Sequence, residues 1–237
     1  MSNSKILVLI PAWNEAIRIR PIIEAFRDSL PVLVIDDGSS DDTAAVAREV
    51  GAAVVVHPNN LGKGAALSTG FAWALERGYD AVLTLDADGQ HDAQEAHKFV
   101  EAFERGEGDL IIGRREFGEM PLIRSFGNRI STWMLSKVLG IRIYDNQCGY
   151  RLYSRKLLET GDLERSGFEF EVEVIVEAVA AGLKIGWVTV RTIYGIGKKS
   201  YFHPVHDSIQ VLDMIREARK KIKGVEKNKT DAERINR

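Results

Sequence analysis

Only one cysteine, Cys148, occurs in 237 residues, so no internal disulfide can form and the core alone must hold the fold. No uninterrupted apolar run approaches the roughly 20 residues that a spanning helix requires. The opening Met-Ser-Asn-Ser-Lys carries no secretory hydrophobic stretch. A cytoplasmic protein is therefore expected, with any membrane contact peripheral. A strong charge of one sign is also missing. The formal net charge of −2 argues against a nucleic-acid binder working through a global basic field. The charge is nevertheless uneven: Arg216 to Arg237 holds nine Lys/Arg against four Asp/Glu, a local +5 that leaves −7 for the remainder. Two common phosphate-binding patterns are absent. Gly62-Lys63-Gly64 lacks the full Gly-x-x-x-x-Gly-Lys-Ser/Thr loop, against a P-loop hydrolase. No Gly-x-Gly-x-x-Gly follows the first apolar run, against a dinucleotide oxidoreductase. No internal repeat is visible.

What is present is ordinary for a globular chain: 45% hydrophobic and 28% charged residues, enough for one large α/β domain. Short runs rich in Val and Ile lie at 6–10, 32–35, 53–56, 81–85 and 110–112, with helical patterns at 20–30, 42–50, 64–77 and 93–105. Strands buried on both faces that alternate with helices predict a mostly parallel sheet with right-handed crossovers. Thr43 reads as a helix entry with Ser40 or Asp41 as its N-cap. Each strand ends in polar residues: Pro11-Ala12-Trp13-Asn14-Glu15, Asp36-Asp37-Gly38, Asn59 to Gly64, Asp86 to Asp88, and Gly113-Arg114-Arg115. Open sheets of this kind bind ligands beyond the C-terminal ends of their strands, so these sets imply one ligand rim.

The stretch from Leu83 to His91, Leu-Thr-Leu-Asp-Ala-Asp-Gly-Gln-His, reads as a buried strand running into two carboxylates. Residues i and i+2 of an extended segment share a side, so Asp86 and Asp88 can converge on one cation, with Gln90 adding a neutral oxygen. Hard oxygen ligands suit Mg²⁺ or Mn²⁺; the bland alternative is an Asp-Gly turn. Asp37 is suited to accept hydrogen bonds from a base or ribose, whereas Asp36 caps local backbone. Glu15 is either a ligand contact or a helix-start acid, and Trp13 either lies against a base or is packed. Pro11 shapes its loop, and Lys63 either approaches a nucleotide or caps its helix. Glu169, Glu171 and Glu173 are the candidate general bases, or else alternating or helix-start acids. Cys148 reads as a packed residue at a tight turn, since nothing local activates a thiol. His91 is either near the metal or a bystander, and His203 and His206 lack a third zinc ligand.

As a set, Ile10-Pro11-Ala12-Trp13-Asn14-Glu15, Val34 to Ser39, Asn60 to Gly64, Asp86 to His91, Gly113-Arg114 and Asp145-Asn146-Gln147-Cys148-Gly149-Tyr150-Arg151 resemble the inverting glycosyltransferases of family 2 with a GT-A fold. Within them the chain looks most similar to dolichyl- or polyprenyl-phosphate mannosyl and glucosyl synthases. The resemblance spans roughly residues 5 to 205. It implies that Pro11, Trp13, Glu15, Ile35 and Asp37 line a nucleoside pocket, with Lys63 near the nucleotide. Asp86, Asp88 and Gln90 hold the metal, with Ala87 beside the ribose. Asp88, Arg114 and Arg124 serve the transfer, the arginines meeting donor or acceptor phosphates. Arg191 and Lys198 close over the site, although Gly195 to Ser200 departs from the family's usual order and Lys199 is an alternative. The implied reaction is an in-line displacement from a UDP- or GDP-sugar onto a lipid phosphate, an anion that needs no general base.

A lipid acceptor demands access to a bilayer. Ile123, Phe126, Ile130, Trp133, Met134 and Val138 recur at helical spacing, opposite Arg124, Ser125, Arg129, Ser131 and Lys137. Such an amphipathic helix suits an anionic interface or simply covers the sheet. The expected organisation is a glycosyltransferase domain over 1–205 followed by a basic helix and disordered tail over 206–237. Unlike many of these synthases, the chain shows no transmembrane tail.

Overall fold

Ile6–Ala12 consists almost wholly of Ile, Val and Leu at positions with 0–4% exposure, apart from Pro11. A run buried on both faces belongs in the middle of a covered parallel sheet, and it forms β1. The computed structural model describes residues 4–115, 132–160, 170–191 and 193. The other expected strands follow as β2 (Val32–Asp36), β3 (Ala53–Val56), β4 (Ala81–Thr84) and β5 (Leu110–Arg115). Two strands were not legible from the apolar pattern: β6 (Arg151–Ser154) and β7 (Ile185–Val190). The seven form one sheet in the order β3-β2-β1-β4-β6-β5-β7. All neighbours are parallel except β6, which runs antiparallel to both β4 and β5.

Helices α1 (Ala16–Glu24), α2 (Thr43–Glu49), α3 (Lys63–Glu76), α4 (Ala96–Glu104), α5 (132–139), α6 (Arg155–Thr160) and α7 (Phe170–Ala180) complete the described elements. α1 begins earlier than the expected residue 20. The loop after β2 starts it: Asp41 accepts from the Ala16 amide at 3.1 Å and Thr43 from the Glu15 amide at 2.9 Å, satisfying donors that a helix start leaves free. Pro21 is tolerated inside α1 because the carbonyl it leaves unpaired belongs to Ile17, which is 93% exposed to solvent. Asp42, not Ser40 or Asp41, holds the N-cap position of α2, and its side chain makes no capping bond. Asp41 instead accepts from the Thr43 amide at 3.0 Å and from its hydroxyl.

The two halves of the sheet are knitted by Phe71 of α3, Tyr153 of β6 and Phe170 of α7. Their ring centroids are 4.9 Å (Phe71–Tyr153) and 6.1 Å (Phe71–Phe170) apart. Arg151 is among the largest fully buried side chains of the described residues. Its guanidinium donates to the carbonyls of Cys148 (2.6 Å), Asn146 (2.9 Å) and Glu171. One buried cation thus fastens the loop before β6 to the first turn of α7.

Removing a donor set while leaving its buried acceptors behind costs about 1–3 kcal/mol per orphaned group. Arg151→Met keeps most of the stem volume and orphans three carbonyls. Urea unfolding should report a loss of about 3 kcal/mol or more, since relaxation relieves only part of the deficit. A loss below about 1 kcal/mol would show that water replaces the guanidinium.

Candidate active site

The chain runs outward from β1 to β2 and β3, then returns to place β4 on the other side of β1. Neighbouring crossovers part at this reversal, leaving a crevice beyond the strand ends. A cavity of about 300 Å³ lies there, lined by Pro11, Ala12, Trp13, Glu15, Asp37, Asn60, Gly62, Lys63, Ala66, Asp86, Ala87 and Asp88. Of the residues singled out in the sequence, the fold thus brings Pro11, Trp13, Glu15, Asp37, Lys63, Asp86, Ala87 and Asp88 to one wall.

The walls are built locally. Asn14 adopts φ +56, a left-handed conformation that asparagine tolerates better than most residues. Its amide donates to Ser39 Oγ at 2.9 Å, while its Oδ1 accepts from the Ser40 amide at 2.8 Å. Trp13 is left 50% exposed at the cavity mouth, and Glu15 is paired with Arg18 at 2.6 Å. Asp36 accepts from the Ser39 amide, the local role expected of it. Asp37 is held more firmly than foreseen. Its Oδ1 accepts from the Leu61 amide (3.0 Å) and from His57 Nδ1 (2.7 Å), and its Oδ2 from the Gly62 amide (2.8 Å). His57, in turn, meets Thr69 Oγ1 at 3.0 Å through Nε2. A carboxylate has about four acceptor positions, so Oδ2 retains one for a ligand. Gly38 permits this contact: at φ +70, a Cβ there would come within 2.7 Å of Asn59 Cα.

Asp86 and Asp88 converge through a turn rather than by strand alternation, because β4 ends at Thr84. The Asp-Gly turn is real as well: Asp88 Oδ1 accepts from the Gln90 amide at 2.9 Å, and Gly89 has φ +77. The carboxylate pair and the turn are one structure. Gln90 contributes its backbone, accepting from the Ile193 amide at 2.9 Å, and its side chain is outside the cavity wall. Behind Asp86 stands Gly149, where a Cβ would meet the Asp86 Cγ at 2.9 Å. His91 is buried, with Nε2 3.8 Å from Asp86 Oδ2.

Lys63, the first residue of α3, reaches across the cavity floor. Its ammonium lies 2.6 Å from Asp86 Oδ1 and 2.8 Å from Glu171 Oε1. Neither expected role of Lys63, a nucleotide contact or a helix cap, describes this bridge, and no sequence pattern signalled that Glu171 would be its second partner. Glu171 and Glu173 do lie in the first turn of helix α7, one of the readings open to them. Burial acts to lower the Lys63 pKa, but the charges of Asp86 and Glu171 outweigh it and hold the ammonium well above the usual lysine range. Burial likewise acts to raise the Asp86 carboxyl, yet Lys63, backed by His91, holds it well below the ordinary carboxylate range.

Besides Gln90, three expected residues lie off this wall. Ile35 is fully buried in β2, inside the sheet rather than on the cavity. Arg114, at the end of β5, has its guanidinium 4.6 Å from the Tyr144 ring centroid. Arg191 is exposed, and its amide donates to Glu95 Oε2 at 2.8 Å. Arg124, Lys198, Lys199, Glu169, His203, His206 and the tail over 206–237 lie outside the described residues. Cys148 is buried with its thiol pushed up to about 12 by burial and by the Asp145 charge, an inert group. The part of the amphipathic stretch within α5 departs from expectation: Leu135 and Leu139 face inward while Trp133 is 62% exposed. No helix among the described residues is long and apolar enough to cross a membrane.

Among the described residues no group of three or more His, Cys, Asp or Glu converges for a metal, so no all-protein cage exists there. Two carboxylates on an open cavity nevertheless suit Mg²⁺ or Mn²⁺, which keep coordination positions for phosphate and water. Lys63 shows that Asp86 already holds a positive charge.

The model for Glycosyl transferase family 2 matches residues 7–161. The chain belongs to this family. The transferase is 33% identical over 208 residues to the polyprenol monophosphomannose synthase of Mycolicibacterium smegmatis, covering 77% of this chain and 75% of that one. It is 31% identical over 205 residues to the undecaprenyl-phosphate mannosyltransferase of Micrococcus luteus, covering 80% and 84%. Among solved structures it resembles glucosyl-3-phosphoglycerate synthase from Mycobacterium tuberculosis in complex with Mn²⁺, uridine diphosphate and phosphoglyceric acid. The TM-score is 0.69 at 23% identity, covering 91% of this chain and 78% of that one. The fold is GT-A, a single α/β domain, as the sequence led us to expect.

The charge bridge has a pH signature. A carboxyl whose folded pKa is depressed contributes stability above its unfolded value of about 3.9, and that contribution is lost as pH falls through the folded value. Lys63→Met should therefore lower the melting temperature at neutral pH. It should also flatten the decline in melting temperature between about pH 5 and pH 2. A variant whose acid limb stays as steep as the parent's would show that Asp86 does not depend on Lys63.

Proposed function

We propose that the transferase moves a sugar from a nucleotide-diphosphate donor, a UDP- or GDP-sugar, to a polyprenyl phosphate such as dolichyl or undecaprenyl phosphate, with inversion at the anomeric carbon. The observation that carries this reading is the convergence of Asp86 and Asp88 with Trp13, Glu15 and Asp37 on one switch-point cavity. The relatives named for lipid-phosphate mannosyl transfer, matched over most of their length, support the acceptor.

In this mechanism the nucleoside enters between Trp13 and Asp37, whose free Oδ2 position accepts a base or ribose donor while Trp13 covers one face. Asp86 and Asp88 would hold Mg²⁺ or Mn²⁺, with Gln90 in the adjoining turn. That ion, when bound, supplies Lewis-acid neutralisation of the departing diphosphate. Lys63 adds a fixed positive charge on the same floor. The acceptor phosphate is already an anion at neutral pH, so its oxygen attacks without a general base, and Arg114 and Arg124 orient it. Glu171 is the nearest alternative base on the floor, but its carboxylate is engaged with Lys63 at 2.8 Å, which weighs against a sugar-hydroxyl acceptor needing deprotonation. Trp133, exposed one helical turn from the exposed Lys137, offers a surface suited to peripheral contact with a bilayer at its cytoplasmic face.

Two measurements test the reading. Thermal unfolding with UDP, GDP or CDP, each with and without Mn²⁺, should show a manganese-dependent rise for one nucleotide, because binding to the folded state stabilises it. Transfer of labelled sugar from the matching donor should then appear in an extracted polyprenyl phosphate. Asp88→Ala should reduce that transfer by at least about 10²-fold while the melting temperature without ligand changes little. Transfer to phosphoglycerate or a free saccharide instead of the lipid phosphate would overturn the acceptor assignment.

A further inference from the structure

Tyr144 lies in the loop before β6 and carries a guanidinium on either count of its neighbours: Arg114 Cζ is 4.6 Å from the ring centroid and Arg142 Cζ is 4.8 Å. The ring is braced edge-on by Trp187 of β7, with centroids 5.2 Å apart at 76°. Stacking on an aromatic face holds a guanidinium plane while leaving its N–H edge free. Both arginines are exposed, so these edges are open to an anion from solvent.

Nothing described in the protein supplies that anion. The other stacked cations are each also bound by oxygen. Arg77, 4.0 Å over Trp73, donates to the Trp73 carbonyl and Glu76, both at 3.3 Å, and Lys5, 4.5 Å over Tyr79, donates to the Arg77 carbonyl at 2.7 Å. Among the described residues, Arg114 and Arg142 have no carboxylate or carbonyl partner. The acid next to Tyr144 in sequence, Asp145, is already committed: its buried carboxylate takes both forks of Arg115 at 2.6 and 3.0 Å.

Arg114 stands at the same rim as the donor cavity. Thr84 of β4 and Ile112 of β5 are both registered on Arg151 of β6. Asp86 and Arg114 each follow two residues later, at the same rim. With one strand between them, the lateral offset is about 10 Å. We infer that Arg142, with Arg114 across Tyr144, forms a receptor for a phosphate monoester that seats the acceptor beside the donor cavity. This rests on the acceptor class proposed above, and it assigns Arg142 and Tyr144 as the residues that select an anionic acceptor.

Calorimetric titration of the full chain with geranyl phosphate, geraniol and inorganic phosphate tests the assignment, using the parent, Arg142→Gln and Arg142→Lys. Arg142→Gln should weaken geranyl phosphate binding by about tenfold or more, the order expected for a charge-assisted contact. Arg142→Lys, which keeps the charge but loses the planar fork, should recover only part. The manganese-dependent nucleotide shift should be unchanged in both, which confirms folding and separates this site from the donor cavity. Geraniol should bind no differently in any of the three proteins. Unchanged geranyl phosphate affinity in Arg142→Gln would overturn the receptor and leave the lipid-acceptor reading standing. Inorganic phosphate bound through Arg142, without binding of geranyl phosphate, would support the anion receptor and overturn the lipid acceptor. Loss of the nucleotide shift with geranyl phosphate binding intact would assign Arg142 to the donor and overturn the inference.

Discussion

A single buried guanidinium organises the functional half of this protein. Among the described residues Arg151 bonds to no carboxylate; carbonyls of Asn146, Cys148 and Glu171 take up its donors. A fully desolvated cation is costly unless such partners are in place, so three chain segments must arrive together. Those segments are the ones the site needs. The loop through Asn146 and Cys148 sets Gly149 against the Asp86 carboxylate. The carbonyl of Glu171 fixes the turn from which its own side chain reaches Lys63. The floor of the cavity is thus supported from beneath by the same residue that begins the antiparallel strand.

The electrostatics above that floor are arranged as alternating charge. Glu171, Lys63 and Asp86 form a chain of opposite signs, with His91 behind Asp86 and the N-terminus of α3 supplying the end of a helix dipole. Asp37 is held separately, by His57 and two backbone amides from the same helix start. The transferase therefore holds two carboxylate groups, at the strand ends on either side of β1, by different means. One uses a side-chain cation, the other backbone amides.

Most of the parallel sheet and the rim were legible because Val- and Ile-rich runs ending in Asp, Asn or Gly carry both strand and loop signals in consecutive residues. β6 escaped notice because it is four residues long and starts with an arginine, whose burial depends on carbonyls distant in sequence. β7 interleaves Gly186 and Thr189 with its apolar residues and sits at the sheet edge, so its apolar run is broken. The cavity residues near a strand end could be named from motif position alone. The Lys63–Glu171 pair could not, since 108 positions of sequence separate them and only the packing of α3 on α7 brings them together. Ile35 shows the opposite failure: a motif position two residues before Asp37 became core because strand geometry buries it.

The inverted β6 also dictates the order in which the sheet can be completed as the chain leaves the ribosome. β1 to β4 can pair among themselves once residue 84 has emerged, but β5 contacts only β6 and β7. Residues 110–115 therefore wait without a sheet neighbour until 151–154 have been synthesised, and the outer side of β4 stays open for the same interval. Unpaired strand edges of this kind invite wrong partners. Biosynthesis thus passes through a nascent form in which β4 and β5 face each other with open edges until β6 slides between them, and the far side of β5 waits longer still, for β7.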